Sequence, residues 1–471
     1  PEWQVNTWRK EDLKCHERMK DHPKFLYANT VRTVYLNAHI TNPAKWTAET
    51  PYLYLLILIL KDSQGQIIQV ARKKIGFRRI ESNRGQILIN GRPIRFKGVN
   101  IHEFDPVGGR HVTRERMLQD IVLLKRNNFN AVRCSHYPHS PVWYELCDEY
   151  GLYVMDECNL ESHEISYKDD VLPGNDLRWT AACIDRALSC VSVNKNSPSL
   201  VVWSTSNEAG YGENLALMAA CIRALDDTRL IHERQMSSIA DMDSDTYSGI
   251  AWIERKARRD PSRPFILVEY GHAMGNAMGN IADYWETFEK YPNLCGGFIW
   301  EWMDHGIRKQ DENGRTRYLY GGDFGDVPNS KNFIIDGIVT PEREITPKLL
   351  EAKRVQQSMD AAISDCAAGK IQITNKHYHV NASYLSAVWS VECDGARVMD
   401  GRIECLDIEP GSAGEYILPW RENDFVKPGE YFLNIRFVLR DSCAWAEAGY
   451  PVASCQLKIR QREYPVQVCG Q

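Results

Sequence analysis

The chain has 471 residues, more than one ordinary domain holds, so two to four domains are expected. Its apolar fraction of 43% and charged fraction of 25% are those of a water-soluble globular protein, and a formal net charge of −5 gives no reason to expect nucleic acid as a partner. The longest apolar run, 52–60, falls far short of the ~20 residues of a spanning helix, so no membrane is expected either.

Residues 1–80 hold strand-like runs at 33–40 and 52–60, then a turn signal at Asp62-Ser63-Gln64-Gly65 and a further strand to Ile75. They read as part of an immunoglobulin-like β-sandwich with too few strands to be complete. Because 52–60 does not alternate, both its faces are expected to be covered. The basic clusters Arg72-Lys73-Lys74 and Arg255-Lys256 are short and read as solvated faces. The chain opens without a basic, then apolar leader, so none is expected. The fourteen cysteines are scattered, with no CxxC pair, which points to a reducing compartment and a cytoplasmic location.

From 81 to 355 strand and helix patterns alternate, the signature of parallel βα units. Strands are predicted at 94–100, 131–137, 153–159, 200–208, 230–234, 245–248, 265–270 and 297–302. Amphipathic helices are predicted at 115–125, 179–193, 214–225 and 281–291. Eight strands in a segment of this size predict a (β/α)8 TIM barrel. Residues 356–471 lose the helical pattern and read as a second immunoglobulin-like β-sandwich.

Ionisable and hydrogen-bonding residues gather at the C-terminal ends of the predicted barrel strands, where a TIM barrel builds its active site. They are His102 and Glu103; Arg133 and His136; Asp156, Glu157, Glu161 and His163; Asn207 and Glu208; Glu233; Glu269 and His272; and Trp300, Glu301, Trp302 and Asp304. Two carboxylates that end buried strands, Glu208 and Glu269, suggest glycoside cleavage, which uses such a pair as acid/base and nucleophile. Glu161 and His163, one residue apart, could grip a hard divalent cation together with a third carboxylate. Singly these features are weak. Trp302 reads equally as a sugar platform or as barrel filler.

The stretches FNAVRCSHYP (129–138), GLYVMDECNLESH (151–163), WSTSNEAG (203–210), EYGHAMGN (269–276), GGFIWEW (296–302) and YGGDFGD (320–326) resemble the large β-galactosidases of glycoside hydrolase family 2. The motifs are long and in the family's order, and the resemblance covers roughly residues 40–450.

The resemblance implies a retaining β-galactosidase that hydrolyses terminal non-reducing β-D-galactose by double displacement, with Glu269 as nucleophile and Glu208 as acid/base. It also implies Mg²⁺ on Glu161, His163 and Glu208, and substrate contacts from His102, Arg133, His136, Asn207, His272 and Trp302. A Na⁺ site is implied at Phe333 and Asp336, but it is incomplete because the aspartate contributed by a preceding domain has no counterpart. The tyrosine that the family carries after its sixth strand reads as replaced near Ala251 and Trp252. Relatives assemble as homo-oligomers and many carry further sandwiches. The alternatives left open are another family 2 exo-β-glycosidase, such as a β-glucuronidase, and a truncated, non-catalytic carbohydrate-binding module.

Overall fold

The computed structural model describes residues 4–6, 35–163, 173–421 and 424–462. The chain divides into two compact units, Pro1–Ala44 and Lys45–Gln471. In the first, Gln4–Asn6 pairs antiparallel with Tyr35–Asn37; the rest of the run predicted to begin at residue 33 falls partly outside the described residues.

The second unit opens with a hairpin of Tyr54–Lys61 and Ile67–Ile75. The predicted turn is present: Asp62 accepts Gln64 N–H and Gln66 N–H on its carboxylate, and Gly65 takes a left-handed φ of 84°. Among the described residues the expected cover is not found. Leu55, Ile57, Leu58, Ile59 and Leu60 are all exposed, because among the described residues this strand pairs only with its hairpin partner. A three-stranded sheet, Ile80–Asn83, Gln86–Ile89 and Arg92–Ile94, then leads into the barrel.

Eight parallel strands form the barrel: β1 (Phe96–Ile101), β2 (Ala131–Cys134), β3 (Tyr153–Glu157), β4 (Leu200–Ser204), β5 (Leu230–His232), β6 (Asp243–Thr246), β7 (Phe265–Tyr270) and β8 (Leu294–Ile299). Strands β1 to β4, β7 and β8 are buried at every position, as parallel strands covered on both faces must be. The ladder runs from β5 through β1 and β8 to β6. No strand ladder joins β5 to β6. Asp241 bridges that gap instead, giving its N–H to the Ile231 carbonyl at 2.8 Å and accepting Ile231 N–H on its carboxylate at 2.7 Å.

The helices follow from capping and periodicity. Helix α1 (Arg114–Arg126) starts at Thr113, whose hydroxyl accepts Arg116 N–H, and it buries Met117, Ile121 and Leu124 on one face. Helix α2 (Pro141–Tyr150) has proline in its first turn and ends at Gly151 with φ 79°. A Cβ at Gly151 would lie 2.4 Å from the Ala48 carbonyl oxygen, so glycine is required there twice over. Helices Thr180–Asn194, Glu213–Leu225 and Ile281–Lys290 lie where the amphipathic pattern put them, and Ile250–Arg259 and Pro347–Val355 add to them.

Beyond the barrel, a three-stranded sheet (Met359–Asp365, Lys370–Asn375, Ala413–Ile417) faces a four-stranded one (Leu385–Cys393, Ala396–Ile403, Gly429–Leu439, Pro451–Arg462). Strand Gly429–Leu439 alternates buried and half-buried positions, and Ile371, Ile373, Trp389, Leu433 and Phe437 fill the shared core. The architecture is a TIM barrel with flanking β-rich domains.

Candidate active site

Arg133, the third residue of β2, is fully buried and organises the mouth of the barrel. It donates to Glu157 Oε2 from Nε (3.1 Å) and Nη2 (2.8 Å), to Asn100 Oδ1 and Glu269 Oε1 from Nη1 (2.9 and 3.1 Å), and to Asn207 Oδ1 from Nη2 (2.9 Å). One guanidinium thus ties together strand ends β1, β3, β4 and β7. Burial opposes its charge, but the adjoining Glu157 and Glu269 raise its pKa. Burial likewise opposes an ionised Glu157, yet the Arg133 charge and the hydrogen bonds from His136 and Ser204 hold it well below the usual carboxylate range.

Glu269 ends β7 and is nearly buried, with Arg133 on one side. Tyr247 follows β6 directly, with a left-handed φ of 55°; its N–H donates to the Glu269 carbonyl, and burial, with the Glu269 charge, raises the pKa of its phenol. A tyrosine therefore does stand beside Glu269, four residues before Ala251. Ala251 and Trp252 instead lie in the first turn of Ile250–Arg259. The signal available was that Tyr247 is the next-to-last residue of the predicted strand 245–248.

Glu208 lies past the end of β4, in a left-handed conformation with φ 41°. Arg234 Nη1 donates to its Oε1 at 2.9 Å and Arg234 Nη2 to Thr246 Oγ1 at 2.6 Å. His163 Nδ1 contacts Glu208 Oε2, and Glu161 accepts Asn207 Nδ2–H at 2.6 Å. One ligand atom from each of Glu161, His163 and Glu208 lies within 4.8 Å of the others. Two carboxylate oxygens and an imidazole nitrogen form a donor set suited to a divalent cation.

The aromatic wall comes from Trp300. Its ring stacks on His136 at 5.3 Å and 13°, meets His102 edge-on, and donates its indole N–H to Asp336 Oδ2. His102 is held by the Tyr137 hydroxyl, and burial keeps its imidazole well below its usual pKa. His272 lies beside Tyr247 and Phe333.

Trp302, expected among the substrate contacts, is instead barrel filler. It is wholly buried and its indole donates to Asp120 Oδ1, itself paired with Arg343. Three other strand-end acids also serve the fold. Asp156 takes the hydroxyl of Tyr144 and the amide of Asn194; Glu233 takes the hydroxyls of Thr205 and Ser206; Glu103 takes Ser140 N–H. The mouth of the barrel is therefore a cluster of acid, cation and aromatic groups around Glu208 and Glu269.

A barrel with two carboxylates at its C-terminal rim is the scaffold of a glycoside-cleaving family, and sequence comparison bears this out. Residues 80–361 match the model of the TIM barrel domain of glycosyl hydrolases family 2; residues 9–78 match a further family 2 domain, and 371–460 match domain 4 of β-galactosidase. The chain belongs to glycosyl hydrolases family 2. It is 42% identical over 437 residues to a β-galactosidase of Priestia megaterium, covering 90% of this chain and 42% of that protein. It is 37% identical over 448 residues to one of Alteromonas mediterranea, covering 91% and 42% respectively. The chain thus spans about two fifths of the length of these relatives.

Among solved structures, a β-glucuronidase of Ruminococcus gnavus superposes with TM-score 0.54 at 20% identity, over 68% of this chain and 59% of that one. A family 2 member of Bacteroides cellulosilyticus superposes with TM-score 0.53 at 17% identity, over 92% and 55%. Both share the fold.

Proposed function

We propose that the chain carries the catalytic centre of a retaining β-galactosidase, which frees terminal non-reducing β-D-galactose, lactose being one such substrate. The observation that carries this reading is the Arg133 hub, which seats Glu269 on a fixed positive charge and, through Asn207, orders the loop that bears Glu208.

Glu269 attacks the anomeric carbon while the protonated Glu208 carboxyl gives its proton to the leaving oxygen. Glu208 then takes a proton from the water that releases the sugar from Glu269. The Tyr247 phenol, close enough to the Glu269 carboxylate to feel its charge, is placed to orient the attacking oxygen. Trp300 offers the flat face on which a galactose ring stacks, with His102, His136, Asn207 and His272 around it.

Glu161, His163 and Glu208 would hold Mg²⁺, which supplies positive charge beside the acid/base when bound. A Na⁺ beside Asp336 would offset the mutual charge of two buried carboxyls, Asp336 and Glu301; burial and that charge raise the pKa of Glu301.

A glucuronidase needs a cation for the substrate's carboxylate. Here Arg133 and Arg234 are both engaged with the protein's own acids, which favours the neutral galactoside. The described cysteines are all free, which supports a reducing compartment such as the cytoplasm. Among the described residues no helix is long and apolar enough to cross a membrane. Self-association into a homo-oligomer is part of the proposal, and sedimentation of the purified chain checks it.

The test is release of nitrophenol from a panel of nitrophenyl glycosides by the 471-residue chain, with Mg²⁺ and with chelator. Turnover of the β-galactoside that falls on chelation is expected. Preference for the glucuronide, or galactose binding without turnover, would overturn the assignment. Glu208→Gln is expected to lower kcat by roughly 10²–10⁴-fold. Glu269→Gln is expected to abolish turnover with an unchanged circular dichroism spectrum.

A further inference from the structure

At the opposite end of the barrel, where β1 meets the C-terminal sandwich, the ammonium group of Lys97 is buried, its residue only 6% exposed. An ammonium carries three N–H donors. Among the described residues, one of them goes to Ser358 Oγ at 2.8 Å. Two cavities, of about 240 and 350 Å³, both open onto Lys97, His377 and Tyr378. Each is far larger than one water molecule requires.

The charges around the smaller cavity do not cancel. Lys97 and Lys125 both line it, facing one carboxylate, Glu49. Lys125 gives two of its donors to the carbonyls of Ala48 and Gly151. Glu49 is already saturated, accepting His377 Nδ1 and the backbone N–H groups of Tyr378, His379 and Val380. His377 Nε2 is taken by the Tyr384 hydroxyl, and the nearby Glu289 is paired with Lys376. Burial pushes the pKa of Lys97 and of Lys125 down to about 8. A buried cation short of both a counter-charge and hydrogen-bond acceptors is costly, and an anion in the adjoining space would supply both.

We propose that this cavity is a binding site for one small oxyanion, an inorganic phosphate or a compact carboxylate, seated on Lys97 with Lys125 facing it. The site is separate from the barrel mouth and independent of the galactosidase reading. Its bound ion stabilises the junction of barrel and sandwich.

The probes are inorganic phosphate and acetate, titrated into the purified chain against sodium chloride at equal ionic strength. Binding is followed by calorimetry and by thermal unfolding. A saturable heat with one site per chain and a saturating rise in Tm are expected with an oxyanion and not with chloride. Phosphate binding without acetate binding identifies the first source; the reverse identifies the second. Lys97→Met is expected to weaken binding at least tenfold. If that variant does not fold, Lys97→Gln, which keeps a polar N–H donor on a shorter side chain and removes the charge, gives the same comparison. No saturable binding of either probe by the wild-type chain, or equal affinity in the charge-free variant, overturns the proposal.

Discussion

Arg133 carries more of the site than any other single residue, because it is the cation through which four strand ends are joined. Truncating it leaves Glu157 buried without its counter-charge, so Arg133→Met is expected to cost about 3–5 kcal/mol in chemical denaturation and to abolish turnover. Glu157, with its folded pKa depressed, contributes stability that is present above the unfolded carboxylate value and lost as pH falls below it. The two tryptophans separate cleanly by experiment. Trp300→Ala removes the half-buried stacking face and is expected to raise KM while lowering Tm less than Trp302→Ala does. Trp302→Ala opens a cavity in the barrel and is expected to cost about 3–5 kcal/mol in stability, measured by urea unfolding. A large KM effect confined to Trp302→Ala would reverse their roles.

At the scale of elements, the barrel's weak seam is the gap between β5 and β6, where Asp241 stands in for a strand ladder. Its carboxylate serves two donors, Ile231 N–H and Arg223 Nη2. Asp241→Ala leaves the Ile231 N–H without its acceptor and is expected to cost about 1–3 kcal/mol. Because Arg234 and Tyr247 follow the two strands at this seam, hydrogen exchange in the variant is expected to rise in 230–248 before it rises elsewhere. Uniform exchange across the barrel would show that the seam does not open first.

At the scale of the whole second unit, Glu49 ties the segment before the barrel to the loop 377–380 of the C-terminal sandwich. Burial would raise its pKa, but the His377 ring and the backbone N–H groups of Tyr378 and His379 outweigh that and hold it at about 2, against an ordinary value of 4.5. The folded pKa is the lower one, so the stabilisation is fully present above about 4.5 and disappears as pH falls towards about 2. A shift of that size corresponds to about 3 kcal/mol. The stability difference between the wild type and Glu49→Gln is therefore expected to be largest near neutrality and to shrink through this acid window. A difference independent of pH would mean that Glu49 acts through packing and not through its charge.

The sequence by itself determined the elements and the acids. Alternation of apolar runs with three-and-four spacing fixes where strands and helices lie, since those periods are properties of the backbone, and a buried strand that ends in a carboxylate places that group at the rim of the barrel. Glu208, Glu269 and Arg133 were legible as strand-end residues for that reason; Glu161 and His163 stood out by their one-residue spacing, and only the family resemblance joined Glu208 to them. The tertiary structure alone decided which polar groups face the pocket. Strand alternation stops at Ile299, so the equal spacing of Trp300 and Trp302 says nothing about their faces, and the loop beyond β8 turns one to the site and the other to Asp120. Tyr247 reaches Glu269 through a left-handed backbone that no periodicity encodes. The run 54–61 shows the same limit: its residues specify an apolar strand, but burial depends on what the rest of the chain brings against it, and among the described residues that is one hairpin partner.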